Sequence, residues 1–250
     1  MTVFKALRRE LPAEDLVYLG DTARVPYGSK TREAVTRFSL EIARFLERRG
    51  IKLLVVACST ASSLALEALR REVSVPVVGV IDPAVRAAVA ASRGGAIGVI
   101  GTEATIASGS YRRALMKSVS GIKIVSRPCP LFVPLVEEGW WDRPATRSVA
   151  EDYLSPFQKA RIDVLILGCT HYPLLAPLLS RVVGRGVRLI DSGKETAREV
   201  REVLSSAGAL RERGTGRNVF FATDGARRFQ RLARRFLGRA SAPVRLARLP

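Results

Sequence analysis

Cysteine, histidine and lysine are scarce in this chain of 250 residues. It has three cysteines, Cys58, Cys129 and Cys169, and one histidine, His171. Three scattered cysteines build no disulfide framework. Without a Cys-x-x-Cys, neither a structural zinc site nor a thioredoxin-type pair is expected, and no metal site is predicted. Lysines number seven against 34 arginines. Nothing marks any of the seven as a Schiff-base former, which argues against a pyridoxal phosphate enzyme. No apolar run reaches the roughly 18–20 residues that a membrane span needs. The opening MTVFKALRRELP is amphipathic, contains an acid and has no apolar h-region. It does not read as a signal peptide, and the expected compartment is the cytosol.

Hydrophobic residues make up 47% of the chain, which excludes a disordered tail and suits one large α/β domain or two smaller lobes. Charge is the odd total: 41 Lys and Arg against 23 Asp and Glu, a net of +18. Such an excess raises nucleic acid as a partner. The basic residues, however, are spread along the chain. In their densest stretch, 225–239, Phe229, Leu232, Phe236 and Leu237 follow helical spacing with arginines between them. That is the pattern of a solvated helix face.

Short apolar runs alternate with longer helical patterns. The runs at 16–20, 52–58, 75–81, 96–101, 123–128, 163–169 and 187–191 are mostly continuous and β-branched, as strands buried on both faces are. Helices are expected at 30–49, 60–72, 83–93, 104–116, 145–160, 173–182 and 194–206. The alternation predicts an α/β fold of two similar lobes, each a mostly parallel sheet flanked by helices, with the site between them. Residues 1–82 with 194–250 are expected to form one lobe and 83–193 the other.

An internal echo supports two related lobes. Ile51 precedes Cys58 by seven positions, and Ile162 precedes Cys169 by seven. After each cysteine come a helical pattern and a further strand pattern leading to an Asp, Asp82 or Asp191. Each thiol therefore sits where a strand ends and a helix begins. The free N–H groups there, of Ser59–Thr60 and Thr170–His171, favour thiolate and can hold a carboxylate. Two thiols facing one ligand from opposite sides suit inversion of a carbon centre. A thiolate removes a proton from one face while a thiol delivers one to the other, and the roles exchange with each turnover. His171 and a carboxylate can tune the thiols. Cys129, in RPCPLFVP, has no helix start or base nearby and reads as structural.

Six stretches together resemble bacterial glutamate racemases: GDTARVPYG (20–28), VVACSTAS (55–62), GVIGTEAT (98–105), CPLFVPLVEEG (129–139), LILGCTHYPLL (165–175) and IDSGKETA (190–197). The likeness runs from about residue 3 to the C-terminus. It implies a cofactor-independent enzyme that interconverts L- and D-glutamate and supplies D-glutamate for peptidoglycan. It implies that Cys58 is the base for the D-enantiomer and Cys169 for the L-enantiomer, with Glu137 and His171 assisting Cys169. Tyr27, Gly28, Ser59, Thr60, Thr170 and His171 match positions that bind substrate. A homodimer is suggested.

The chain departs from the family pattern twice. Ser59 stands where these proteins usually carry Asn, and its shorter side chain puts one substrate contact in question. The family also places a strand and an Asp-Ser-Gly-x-Gly-Gly loop ahead of the helix that begins here at Met1. That Asp normally partners the first cysteine. Met1 is therefore read as an internal methionine, the alternative being a short, inactive or regulatory form. Some family members inhibit DNA gyrase, so a catalytically impaired homologue that binds gyrase or DNA is the rival reading. A cysteine-phosphatase-like hydrolase is a poor third: no arginine stands six residues after any cysteine, those positions being Leu64, Leu135 and Leu175.

Overall fold

The computed structural model describes residues 1–238 and 242–249. Nine strands are described, and every pairing between them is parallel. One sheet has the order β5-β4-β6-β7, built from β4 (Ala96–Gly101), β5 (Ile124–Pro128), β6 (Ile162–Gly168) and β7 (Arg188–Asp191). Its central strands carry almost no polar residue because both faces are covered. Ile97, Val99, Val164 and Ile166 meet α5 (Ile81–Ala91) and α7 (Ser110–Ser118) on one side. Ile100, Leu165 and Leu167 face α9 (Pro144–Lys159) and α10 (Ala176–Val183) on the other. Gly98 lets α9 come close: a Cβ there would stand 2.7 Å from the Phe157 ring.

Strand order reverses direction between β4 and β6. In open parallel sheets such a switch point leaves a crevice beyond the carboxyl ends of the strands. Gly101 pairs with Gly168, so the residues that follow them, Thr102 and Cys169, emerge side by side at that crevice.

The other strands form two smaller sheets, β1-β8-β9 and β2-β3. They comprise β1 (Leu16–Gly20), β2 (Leu54–Val56), β3 (Val77–Gly79), β8 (Asn218–Ala222) and β9 (Val244–Leu246). Both sheets share their flanking layers. One layer is α2 (Arg32–Glu47), α3 (Ser59–Leu64) and α4 (Leu66–Glu72); the other is α1 (Thr2–Glu10) and α11 (Ser192–Ser206). Among the described residues, β1 and β2 are not hydrogen-bonded to one another, and each stands at the edge of its sheet.

Several expected elements are broken or shifted. The helix expected over 60–72 divides at Ala65 into α3 and α4. That over 104–116 divides at Gly109, whose φ of +66° suits glycine, into α6 (Glu103–Ala107) and α7. Asp82 does not end a strand; β3 stops at Gly79 and Asp82 lies in the first turn of α5. β8 and β9 lie outside the expected strands. The basic helix is present as α12 (Ala226–Leu237), with Phe229, Phe236 and Leu237 buried; Arg239, at the end of that stretch, lies outside the described residues.

Candidate active site

Cys58 follows β2 and caps the N-terminus of α3. Cys169 follows β6 and is buried. The two act on each other electrostatically. The Thr60 hydroxyl, two residues beyond Cys58, stands 3.1 Å from that of Thr102, and Thr102 emerges beside Cys169 where Gly101 pairs with Gly168. The two thiols therefore open on the same crevice.

The expectation that a helix start makes Cys58 a ready thiolate is not met. Burial pushes its pKa up, and the opposing backbone N–H groups of Ala61 and Thr60, with the Thr60 hydroxyl, do not offset this. Those N–H groups serve the sulfur itself. α3 has only six residues, so its dipole is weak. Cys169 is not followed directly by an α-helix either. A single 3₁₀ turn, Tyr172–Leu175, precedes α10.

Cys169 has partners that Cys58 lacks. Its sulfur lies 3.8 Å from His171 Nδ1, and His171 Nε2 lies 3.4 Å from Glu137 Oε1. Burial disfavours the imidazolium, but hydrogen bonds to Cys169 and Glu137 outweigh it and raise the His171 pKa to about 9. The same bond to His171 lowers the Glu137 pKa against its own desolvation, with a smaller pull from Arg228. Glu137 is the last residue of α8 (Phe132–Glu137), and the packing beneath explains its placement. Tyr172, next to His171, donates its hydroxyl to the Cys129 carbonyl at 2.8 Å and meets Phe132 edge-on at 5.3 Å. Arg235 of α12 donates to the Glu137 carbonyl at 3.0 Å, which holds the far end of the same helix.

Tyr27 and Gly28 lie in a 3₁₀ turn, Tyr27–Ser29. Gly28 abuts Thr102: a Cβ on it would stand 3.1 Å from the Thr102 Cβ. Thr102 in turn joins a hydroxyl triad, 3.1 Å from Thr60 and 2.9 Å from Thr105, with Thr60 to Thr105 at 3.3 Å. The loop is fixed from behind by Asp21, at the end of β1. Asp21 accepts both Arg24 Nε, at 2.8 and 3.0 Å, and the hydroxyls of Tyr27 and Thr223. Burial, then the bond to Asp21, raises the Tyr27 pKa. Replacing Asp21 by Ala leaves Arg24, only 20% exposed, with Glu41 as its remaining carboxylate and takes the acceptor from the Tyr27 and Thr223 hydroxyls. We expect a loss of about 2 kcal/mol in stability, measured as a lower urea midpoint at unchanged slope.

The structure thus brings Cys58, Cys169, His171, Glu137, Thr60 and Gly28 to one place. Thr170 lines the same end, its carbonyl accepting the Thr2 hydroxyl. The Ser59 hydroxyl, by contrast, is buried without a partner. Cys129 sits at 0% exposure in the core, its pKa pushed up to about 12 by burial. Sequence reasoning did not single out Thr102, Thr105 and Asp21, which stand among these residues; isolated hydroxyls and turn carboxylates carry no periodic signal. Among the described residues, no group of three or more His, Cys, Asp and Glu lies together to hold a metal.

The Asp/Glu/Hydantoin racemase family matches residues 2–200. The chain belongs to that family. A glutamate racemase from Geobacter metallireducens is 52% identical over 239 residues, covering 95% of this chain and 88% of that protein. A crystal structure of a Bacillus anthracis glutamate racemase isoform superposes with a TM-score of 0.96 at 39% identity, covering 100% of this chain and 93% of that one. The Francisella tularensis glutamate racemase, solved in complex with D-glutamate, gives a TM-score of 0.92 at 32% identity, covering 99% and 92%. These likenesses accord with the two-lobed α/β fold and lend no support to the gyrase- or DNA-binding alternative. Among the described residues no helix is long and apolar enough to cross a membrane.

Proposed function

We propose that this chain is a cofactor-independent glutamate racemase, an isomerase interconverting L- and D-glutamate by two-base proton transfer. The observation that supports the reading is the pair of thiols at the ends of strands in two different sheets, linked across the crevice by the Thr60–Thr102 contact and the Gly101–Gly168 pairing. Residues 1–82 with 194–250 are taken as one lobe and 83–193 as the other. Cys58 is assigned as base for D-glutamate and Cys169 for L-glutamate. The thiolate takes the α-proton, the electron pair stays at the α-carbon beside the carboxylate, and the opposite thiol delivers its proton to the other face. The thiol and thiolate have then exchanged places, so the reverse reaction uses the same site. The triad of Thr60, Thr102 and Thr105, with Thr170 and the Tyr27–Gly28 turn, supplies polar contacts for the substrate. The compartment is the cytosol, where D-glutamate enters peptidoglycan synthesis.

The test is isotope wash-in. Incubated in D₂O, the chain is expected to replace the α-hydrogen of both D- and L-glutamate, followed by NMR, while circular dichroism shows the other enantiomer growing in. Absence of exchange from either enantiomer would sink the racemase reading.

A further inference from the structure

We propose that Tyr111 is a positioning residue that ties the two thiols together through a hydroxyl pair with Ser59. The proposal rests on the racemase reading and adds a residue outside the cleft. Tyr111, in the first turn of α7, is 2% exposed. Its ring lies against Gly168, the residue before Cys169: a Cβ on Gly168 would stand 3.0 Å from the ring edge and 2.6 Å from the Ile100 carbonyl oxygen. The end of β6 therefore rests directly on Tyr111. The other end of Tyr111 reaches the seam with α3. There its hydroxyl and that of Ser59, the residue after Cys58, are both buried and neither has a hydrogen-bond partner.

The two hydroxyls face one seam: Ser59 stands one turn before Ser63 on α3, and Tyr111 follows Ser110 on α7. The same turn of α7 is already tied to α3, because Ser110 Oγ donates to the Ser63 carbonyl at 3.3 Å. Tyr111 thus packs on Gly168, the neighbour of Cys169, and faces the seam that holds Ser59, the neighbour of Cys58. Buried hydroxyls left unpaired are unfavourable, and native structures retain few of them. A small approach of α3 toward α7 closes this pair. Glutamate bridging Cys58 and Cys169 would supply that approach. The bond forms in the liganded state and sets the sulfur-to-sulfur spacing, on which proton transfer depends steeply.

The experiment is a double-mutant cycle on kcat and KM in both directions, using Ser59→Ala, Tyr111→Phe and the double variant. Both substitutions keep the backbone and the apolar packing, and thermal unfolding reports the folded fraction. Each single variant is expected to lower kcat about tenfold with KM within about twofold, and the double variant to be no slower than either single one. A double variant about a hundredfold slower means the hydroxyls act separately and overturns the proposal. So does a kcat that is unchanged once the folded fraction is taken into account. Amide hydrogen exchange supplies the second readout. D-glutamate is expected to protect residues 59–63 and 110–112 in the wild type and less so in Tyr111→Phe; equal protection in both overturns the proposal. A wild type that neither turns over glutamate nor gains protection removes the racemase reading as well. A wild type that turns over with an additive cycle removes this inference alone.

Discussion

Cys169→Ser is expected to lower kcat for racemisation by about a thousandfold or more, and Cys58→Ser by a similar amount. A serine hydroxyl at either position stays protonated at neutral pH, so one face of the substrate loses its base and, in the reverse direction, an effective acid. The two enantiomers have equal free energy in water. A variant therefore cannot lower kcat/KM in one direction only; both directions must fall together. The asymmetry between the thiols shows in isotope exchange instead. With Cys169 replaced, Cys58 can still take the α-proton of D-glutamate and return deuterium to the same face, so D-glutamate exchanges without inverting. With Cys58 replaced, L-glutamate is the enantiomer that exchanges. NMR in D₂O, combined with chiral separation of the product, measures both. A single variant that keeps racemising near the wild-type rate would refute two-thiol catalysis. The opposite exchange pattern would reverse the assignment of the two bases.

The fold and the two thiols are legible in the sequence for one physical reason. Parallel strands covered on both faces are written as unbroken apolar runs, and the residue that ends such a run faces the ligand crevice. LLVVAC and VLILGC carry this signal, as do the flanking helices with their 3.6-residue period. β8 is harder to see. NVFFA (218–222) stands among arginines and glycines, and its partner β1 lies about 200 residues earlier, so no local pattern announces the pairing. Glu137 is legible only through resemblance. It ends a six-residue helix whose position depends on Tyr172 and Phe132 in the core. The Cys58 titration runs against the local argument because burial is a tertiary property: a strand-end cysteine reads as activated, yet desolvation wins. Tyr111 looks unremarkable in sequence, and only the packing of α7 beneath β6 brings it near Cys169 and the Cys58 helix.

Glu137→Gln is expected to lower kcat about 10- to 100-fold and to shift the alkaline limb of the pH profile toward lower pH. The sign follows from the pair. His171 has its pKa raised to about 9 from the ordinary 6.5. The stabilisation it gives is fully present below 6.5 and is lost as pH rises through about 9. Glu137 has its pKa lowered from the ordinary 4.5, so its share is present above 4.5 and is lost as pH falls through the lowered value. Both contributions are complete between those ordinary values, and above them the pair weakens until His171 deprotonates. A protonated His171 stands 3.8 Å from the Cys169 sulfur, the group assigned to remove the proton from L-glutamate. Without the Glu137 carboxylate the imidazolium keeps only Cys169 as a partner and deprotonates earlier. The alkaline limb of kcat/KM should then move down by roughly one pH unit. Because both directions share kcat/KM, the limb must move equally for D- and L-glutamate, whereas kcat should fall more for L-glutamate, which is assigned to Cys169. Rates measured from pH 6 to 10 with each enantiomer decide the matter. An alkaline limb that stays in place in Glu137→Gln would mean that the carboxylate does not hold the His171 proton, and His171→Asn would then have to account for the tuning of Cys169 alone.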